Sequence, residues 1–262
     1  MSIPITGAAP VPRLRRFNPL SVVAASLVIA LGLLASLDLV SAGASLAAVI
    51  VALIAFGVPV RFFWTRTWPV WVAAPGVGLT LLLYTAPAGR TYFAWLFVTV
   101  SDASILAALA ATARVLAMGL PAVIALAAID LTAFADALGQ RLHLPARFVL
   151  GALAALRMLS LFVADWRMLE LARRARGLRD RGRLRRFASQ AFALLVLALR
   201  RGTKLAVAME ARGLGSGPRV WARPSRFGAR DWLLIAGAVA VAAGSLAAAV
   251  LTGAWNPIFS PQ

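Results

Sequence analysis

Residues 148–176 read FVLGALAALRMLSLFVADWRMLELARRAR, an apolar run to Val163 that continues unbroken into Asp165, Arg167, Glu170, Arg173, Arg174 and Arg176. Whether this stretch crosses a membrane decides the architecture. Arg157 lies near the middle of the run, where insertion costs about 2.5–3.5 kcal/mol. Crossing would also export the eight arginines between Arg173 and Arg186, against the preference of basic residues for the cytoplasmic side. The stretch is therefore predicted to be a long helix that dips into or lies along the inner membrane face. Arg186–Arg212 is read as a second of the same kind. Apolar positions such as Leu156, Leu159, Phe162 and Val163 alternate with charges, as in helices that pack on one another and on lipid headgroups.

The rest of the chain supplies the membrane. Of its 262 residues 61% are hydrophobic and mean hydropathy is +0.85, more apolar surface than a soluble domain of this size can bury. Spans are predicted at about 20–37, 39–57, 68–85, 105–129 and 232–251, each near the roughly 20 apolar residues a bilayer requires. Pro69 and Pro75 are read as the start and an early kink of the third. The fold class is thus all-α: a polytopic helical membrane protein with about five transmembrane helices and long cytoplasmic helices. The expected regions are 1–129 with the N-terminal spans, 130–230 cytoplasmic, and 231–262 with the last span. Arg15-Arg16-Phe17 ahead of an apolar run resembles a twin-arginine signal, but the run is too long for a signal core and more spans follow.

Charge fixes the expected orientation. Arg13, Arg15 and Arg16 place the N-terminus in the cytoplasm, Arg61 and Arg66 fall inside after two spans, and Arg90 with Asp102 lies outside. Residues 130–230 carry 20 of the 27 basic and 6 of the 9 acidic residues, a net +14 out of a total of +18. Function is expected there. Such a face suits anionic lipid at the inner leaflet, and the spans argue against a nucleic-acid partner.

Several chemistries are excluded. With no cysteine and one histidine, His143, no metal set is expected, and none of the few carboxylates forms an enzyme-like constellation. The lone Lys204 is followed by Leu205, so the Gly-Lys-Ser/Thr phosphate cradle is missing. No cofactor and no catalytic residue is expected.

The two basic helices end alike, with Ala175-Arg176-Gly177 and, 36 residues later, Ala211-Arg212-Gly213. Glycine just past a helix accepts the left-handed conformation that closes it, and a cation in the last turn offsets the helix dipole. A small alanine permits close approach, and arginine offers a planar fork to a carboxylate, so the pair suits docking into acidic grooves. Glu170 can pair with Arg174 one turn on, and Glu210 is expected to do likewise near its own helix end. Arg179–Arg186 is read as the connecting loop. Arg114, inside the fourth span, is a candidate intramembrane functional residue, with Asp102 about three turns away.

Phe17-Asn18-Pro19-Leu20-Ser21, Asp165-Trp166 leading through Glu170-Leu171-Ala172-Arg173 to the first triplet, and Met209-Glu210-Ala211-Arg212-Gly213-Leu214-Gly215 together resemble the T component of energy-coupling-factor transporters, the cobalt- and biotin-type permease group. The resemblance departs at Val22-Val23, where members often carry Lys or Arg. It implies a plasma-membrane coupling subunit whose long helices sit on two ABC-type ATPase subunits and grip a small membrane-embedded S subunit that binds a vitamin or metal ion. Arg176 and Arg212 would match the motif arginines, and this chain would transmit force without being an enzyme itself. The alternatives are a self-contained secondary transporter or channel using Arg114, and a basic membrane anchor that recruits another protein.

Overall fold

The computed structural model describes residues 11, 13–36, 38–86, 88–95, 98–177, 182–214, 221 and 223–253. Its helices are α1 (Pro19–Leu34), α2 (Leu39–Ala55), α3 (Val60–Tyr84), α4 (Asp102–Ala128), α5 (Leu131–Arg141), α6 (Ala146–Ala175), α7 (Arg183–Ala211) and α8 (Ala229–Leu251). The architecture is that of an all-α polytopic membrane protein, with one exception. Between α3 and α4, where a plain loop was expected, β1 (Thr91–Trp95) and β2 (Val98–Ser101) form an antiparallel hairpin, Thr91 facing Ser101 and Trp95 facing Val98. Among the described residues α3, α4, α6 and α8 are long and apolar enough to cross a bilayer, and α1 and α2 are shorter apolar helices.

Two compact units are present, one of Ala8–Phe134 with Arg226–Gln262, the other containing Ala135–Ser225. In the first, small residues form the buried stripes: Ser41, Ala42 and Ser45 on α2, and Ala238, Ala242, Ser245 and Ala249 on α8. Large apolar side chains such as Leu27, Leu31, Val51, Ile54 and Leu233 point outward. This inversion of soluble packing is what lipid selects, because close backbone approach and not apolar burial holds membrane helices together. A Cβ on Gly32 would stand 2.7 Å from Ala242 Cβ, and one on Gly78 would stand 3.0 Å from the Ala108 carbonyl.

The starts of α1, α3 and α8 and the ends of α2 and α4 gather at one pole of this unit. Arg13 Nη1 donates to the Ala55 carbonyl at 2.7 Å, Phe17 meets Phe56 edge-on at 5.6 Å, and Val11, Leu14 and Val22 share a core with Ile124, Ala125 and Ala128. Arg13, Arg16, Arg61, Arg226 and Arg230 adjoin this pole, and the Asp38 turn and the hairpin lie at the other. All four acidic residues of the unit, Asp38, Asp102, Asp130 and Asp231, sit at helix N-termini, where their charge offsets the dipole and Asp38, Asp130 and Asp231 also accept from local backbone N–H groups.

One boundary differs from expectation. α3 begins at Val60 after Pro59, so Pro69 does not start it; Pro69 and Pro75 both lie inside. Internal prolines are tolerated in membrane helices because neighbours satisfy the freed carbonyls.

Candidate functional site: the paired helix ends

α6 and α7 belong to the second unit, and their C-termini close in the same way. Arg176 (φ −83°, ψ 3°) donates its N–H to the Ala172 carbonyl at 3.2 Å, and Arg212 (φ −88°, ψ 13°) donates to Ala208 at 3.2 Å. Gly177 and Gly213 follow at φ +67° and +77°, the left-handed cap that only glycine adopts without strain. Gly177 N–H donates to Arg174 O, Gly213 N–H to Glu210 O and Leu214 N–H to Met209 O. A Cβ at Gly177 would meet nothing within 4 Å, so backbone conformation alone selects glycine there. Ala175, Arg176, Ala211 and Arg212 are exposed. Among the described residues neither motif arginine forms an ion pair.

The helices run antiparallel. Arg201 forks both carboxylate oxygens of Asp165 with its two Nη groups, Arg173 Nη1 donates to Ser189 Oγ at 2.9 Å, and Trp166 packs on Phe187 with ring centroids 5.6 Å apart. Glu170 accepts from Arg174 at 2.7 Å and from Arg186 at 2.6 Å. The hydrogen bond and charge of Arg174, reinforced by Arg186, hold its carboxyl below the usual range. The last turns of α6 therefore lie beside the first turns of α7. Arg176 falls at the N-terminal end of α7 and Arg212 at its C-terminal end, with a 29-residue helix about 43 Å long between them. The two arginines therefore stand about one helix length apart, each exposed beside a glycine cap of the same geometry.

Glu210 does not repeat the Glu170 arrangement. It is exposed and has no ion pair among the described residues, because the positions one turn away hold Ala206, Val207, Gly213 and Leu214. Gly215 and residues 179–181 of the expected connecting loop lie outside the described residues.

Arg114 lies in the first unit. Its Nε and Nη2 are buried without a hydrogen-bond partner among the described residues, as is Ser45 Oγ on α2. The carboxylate whose charge reaches it is Asp38, the cap of α2, whereas Asp102 is engaged with the Arg90 N–H at 3.1 Å. His143 is exposed at φ +50° in the turn between α5 and α6, and no metal-competent group of His, Cys, Asp or Glu exists among the described residues.

The motif Phe17-Asn18-Pro19-Leu20-Ser21 has a local physical role that sequence reasoning missed. Buried Asp231, at the start of α8, accepts from Asn18 N–H at 2.6 Å, Ser21 Oγ at 2.7 Å and Gly228 N–H at 2.8 Å. Asn18 caps α1 through Leu20 N–H and donates its amide to Arg226 O. The available signal was an Asp three residues after Gly228 and just ahead of an apolar run, a helix-start signature.

The family model of CbiQ, cobalt transport protein, matches residues 17–219. That range begins at the Asn18 motif, includes α1–α7 with both Ala-Arg-Gly ends, and stops before α8. No curated protein matches the chain.

Proposed function

The chain belongs to the CbiQ cobalt transport protein family, the family of energy-coupling-factor T components, and from that membership we propose that it is the coupling subunit of an ATP-driven importer. Each Ala-Arg-Gly end docks in an acidic groove of one of two ABC-type ATPase subunits, Arg176 on one and Arg212 on the other. Closure of the ATPase pair on ATP draws the ends together. The movement is passed through α6 and α7 to a small membrane-embedded S subunit, which releases its vitamin or metal ion. The chain itself hydrolyses nothing, since its only lysine stands outside any phosphate-binding loop. Substrate choice belongs to the S subunit.

The observation that carries this reading is the repetition of one cap geometry at opposite ends of α7, with both arginines exposed and unpaired among the described residues. A charge pair is strongest when a planar guanidinium meets a carboxylate in a partly desolvated groove, and these arginines are not already committed. The orientation follows from charge: the pole bearing Arg13, Arg16, Arg61, Arg226 and Arg230 faces the cytoplasm of the plasma membrane. α6 has the length and apolarity of a span. Crossing would put the arginines of its C-terminal half and the connecting loop outside, so we assign it to the inner face.

Affinity purification of the chain from its native membrane in mild detergent, with mass spectrometry of what remains bound, tests the proposal. Recovery of ABC-type ATPases and a small membrane protein is expected. A chain that comes off alone and stable contradicts it and favours a self-contained transporter centred on Arg114.

A further inference from the structure

A cavity of about 460 Å³ lies among α1, α2, α4 and α8, within the roughly 300–1,000 Å³ range of small-molecule sites. Phe17, Phe56 and Arg230 line it at the basic pole, and Ile29 and Val241 line it at depth. Apart from Arg230, the one polar side chain in its wall is Ser26, whose hydroxyl donates to its own helix at the Val23 carbonyl. Water needs two to four polar partners to occupy a cavity, and this wall offers almost none.

Its dimensions and chemistry point to lipid. Arg230 to Val241 is eleven residues of α8, about 16 Å of helix, close to one leaflet of a hydrocarbon core about 30 Å thick. Arg230 is exposed, has no ion pair among the described residues, and shares its pole with Arg13 and Arg16. An apolar slot one leaflet deep with a free guanidinium at its mouth is complementary to an acyl chain below a phosphate. We propose that this cavity binds one acyl chain of an anionic phospholipid of the inner leaflet, with Arg230 holding its phosphate. The site rests on the membrane placement of this unit and not on the coupling role of α6 and α7, so either can fail alone.

The test is native mass spectrometry of the full chain titrated with phosphatidylglycerol or phosphatidylcholine in mild detergent. Wild type should retain one phosphatidylglycerol in preference to phosphatidylcholine. Arg230→Gln should erase the preference and weaken phosphatidylglycerol retention about fivefold, the equivalent of about 1 kcal/mol for one basic residue at an anionic surface. Gly237 lines the cavity and a Cβ there meets nothing within 4 Å, so Gly237→Leu starts its side chain in open space, narrows the slot and should abolish retention of both lipids while the melting temperature holds or rises. Equal retention of the two lipids by wild type, or retention untouched by Gly237→Leu, would overturn the proposal. So would a photo-crosslinker at position 237 that captures a protein partner and not lipid in the purified complex.

Discussion

Asp231→Ala removes the acceptor on which the starts of α1 and α8 converge. Among the described residues the Asn18 N–H, Ser21 Oγ and the Gly228 N–H lose it, and their fates differ. Ser21 Oγ also donates to the Asn18 carbonyl at 2.7 Å and keeps that bond. Gly228 is exposed, so water replaces the lost acceptor at its N–H. The Asn18 N–H has no such recourse, because Asn18 is only 6% exposed, and a buried donor left unsatisfied costs about 1–3 kcal/mol. Adding loss of the carboxylate's interaction with the dipole at the start of α8, about 0.3–2 kcal/mol, gives a destabilisation of about 3 kcal/mol. Thermal unfolding of the purified full chain in detergent should read this as a fall of about 6–12 °C for a chain of this size class. Asp231→Asn retains one oxygen for Asn18 N–H and Ser21 Oγ and turns its NH₂ toward the water-accessible Gly228 N–H, so it should cost about 1 kcal/mol. Refutation would be Asp231→Ala melting within about 2 °C of wild type, or Asp231→Asn proving as damaging as Ala.

Three further outcomes follow from packing and charge. A double-mutant cycle of Asp165→Ala and Arg201→Ala should give a coupling of about 1 kcal/mol, reflecting a bidentate but half-exposed pair; strict additivity in the melts would mean the fork does not hold α6 to α7. Gly78→Ala should destabilise by about 1–3 kcal/mol despite better helix propensity, because its Cβ would press on Thr112 Oγ1 and stand 3.0 Å from the Ala108 carbonyl; adding Thr112→Ala relieves the first contact and should restore only part of the loss. Gly177→Ala meets no neighbour and should cost about 1 kcal/mol through the left-handed backbone alone, read as fraying of α6 by hydrogen exchange at the Arg176 and Gly177 amides.

The long basic helices were legible because their signals are local. Phe148–Arg176 and Arg186–Arg212 fall within a few residues of α6 and α7, and the glycine that closes each helix adopts the expected left-handed turn. Apolar runs likewise located α1, α2, α4 and α8. The start of α3 was misread because proline was taken as a boundary, although a membrane helix accepts it internally. The hairpin at 91–101 carries β-branched and aromatic residues typical of strands, but its two strands are too short to stand out beside long apolar helices. Partnerships between helices were the least visible. Asp231 reaches Asn18 over more than two hundred residues of sequence, because packing brings together helix ends that spacing cannot relate. Glu210 failed to pair for the opposite reason: the local rule was applied without a cation at the position it requires.

Simultaneous Arg176→Ala and Arg212→Ala tests the coupling role most directly, with uptake and ATP hydrolysis measured side by side in vesicles holding the purified complex and an immunoblot confirming equal membrane insertion. The account predicts that uptake is lost while hydrolysis, where ATPases remain bound, continues without transport. Uptake at the wild-type rate in that double variant would contradict the assignment of these two helix ends as the coupling contacts.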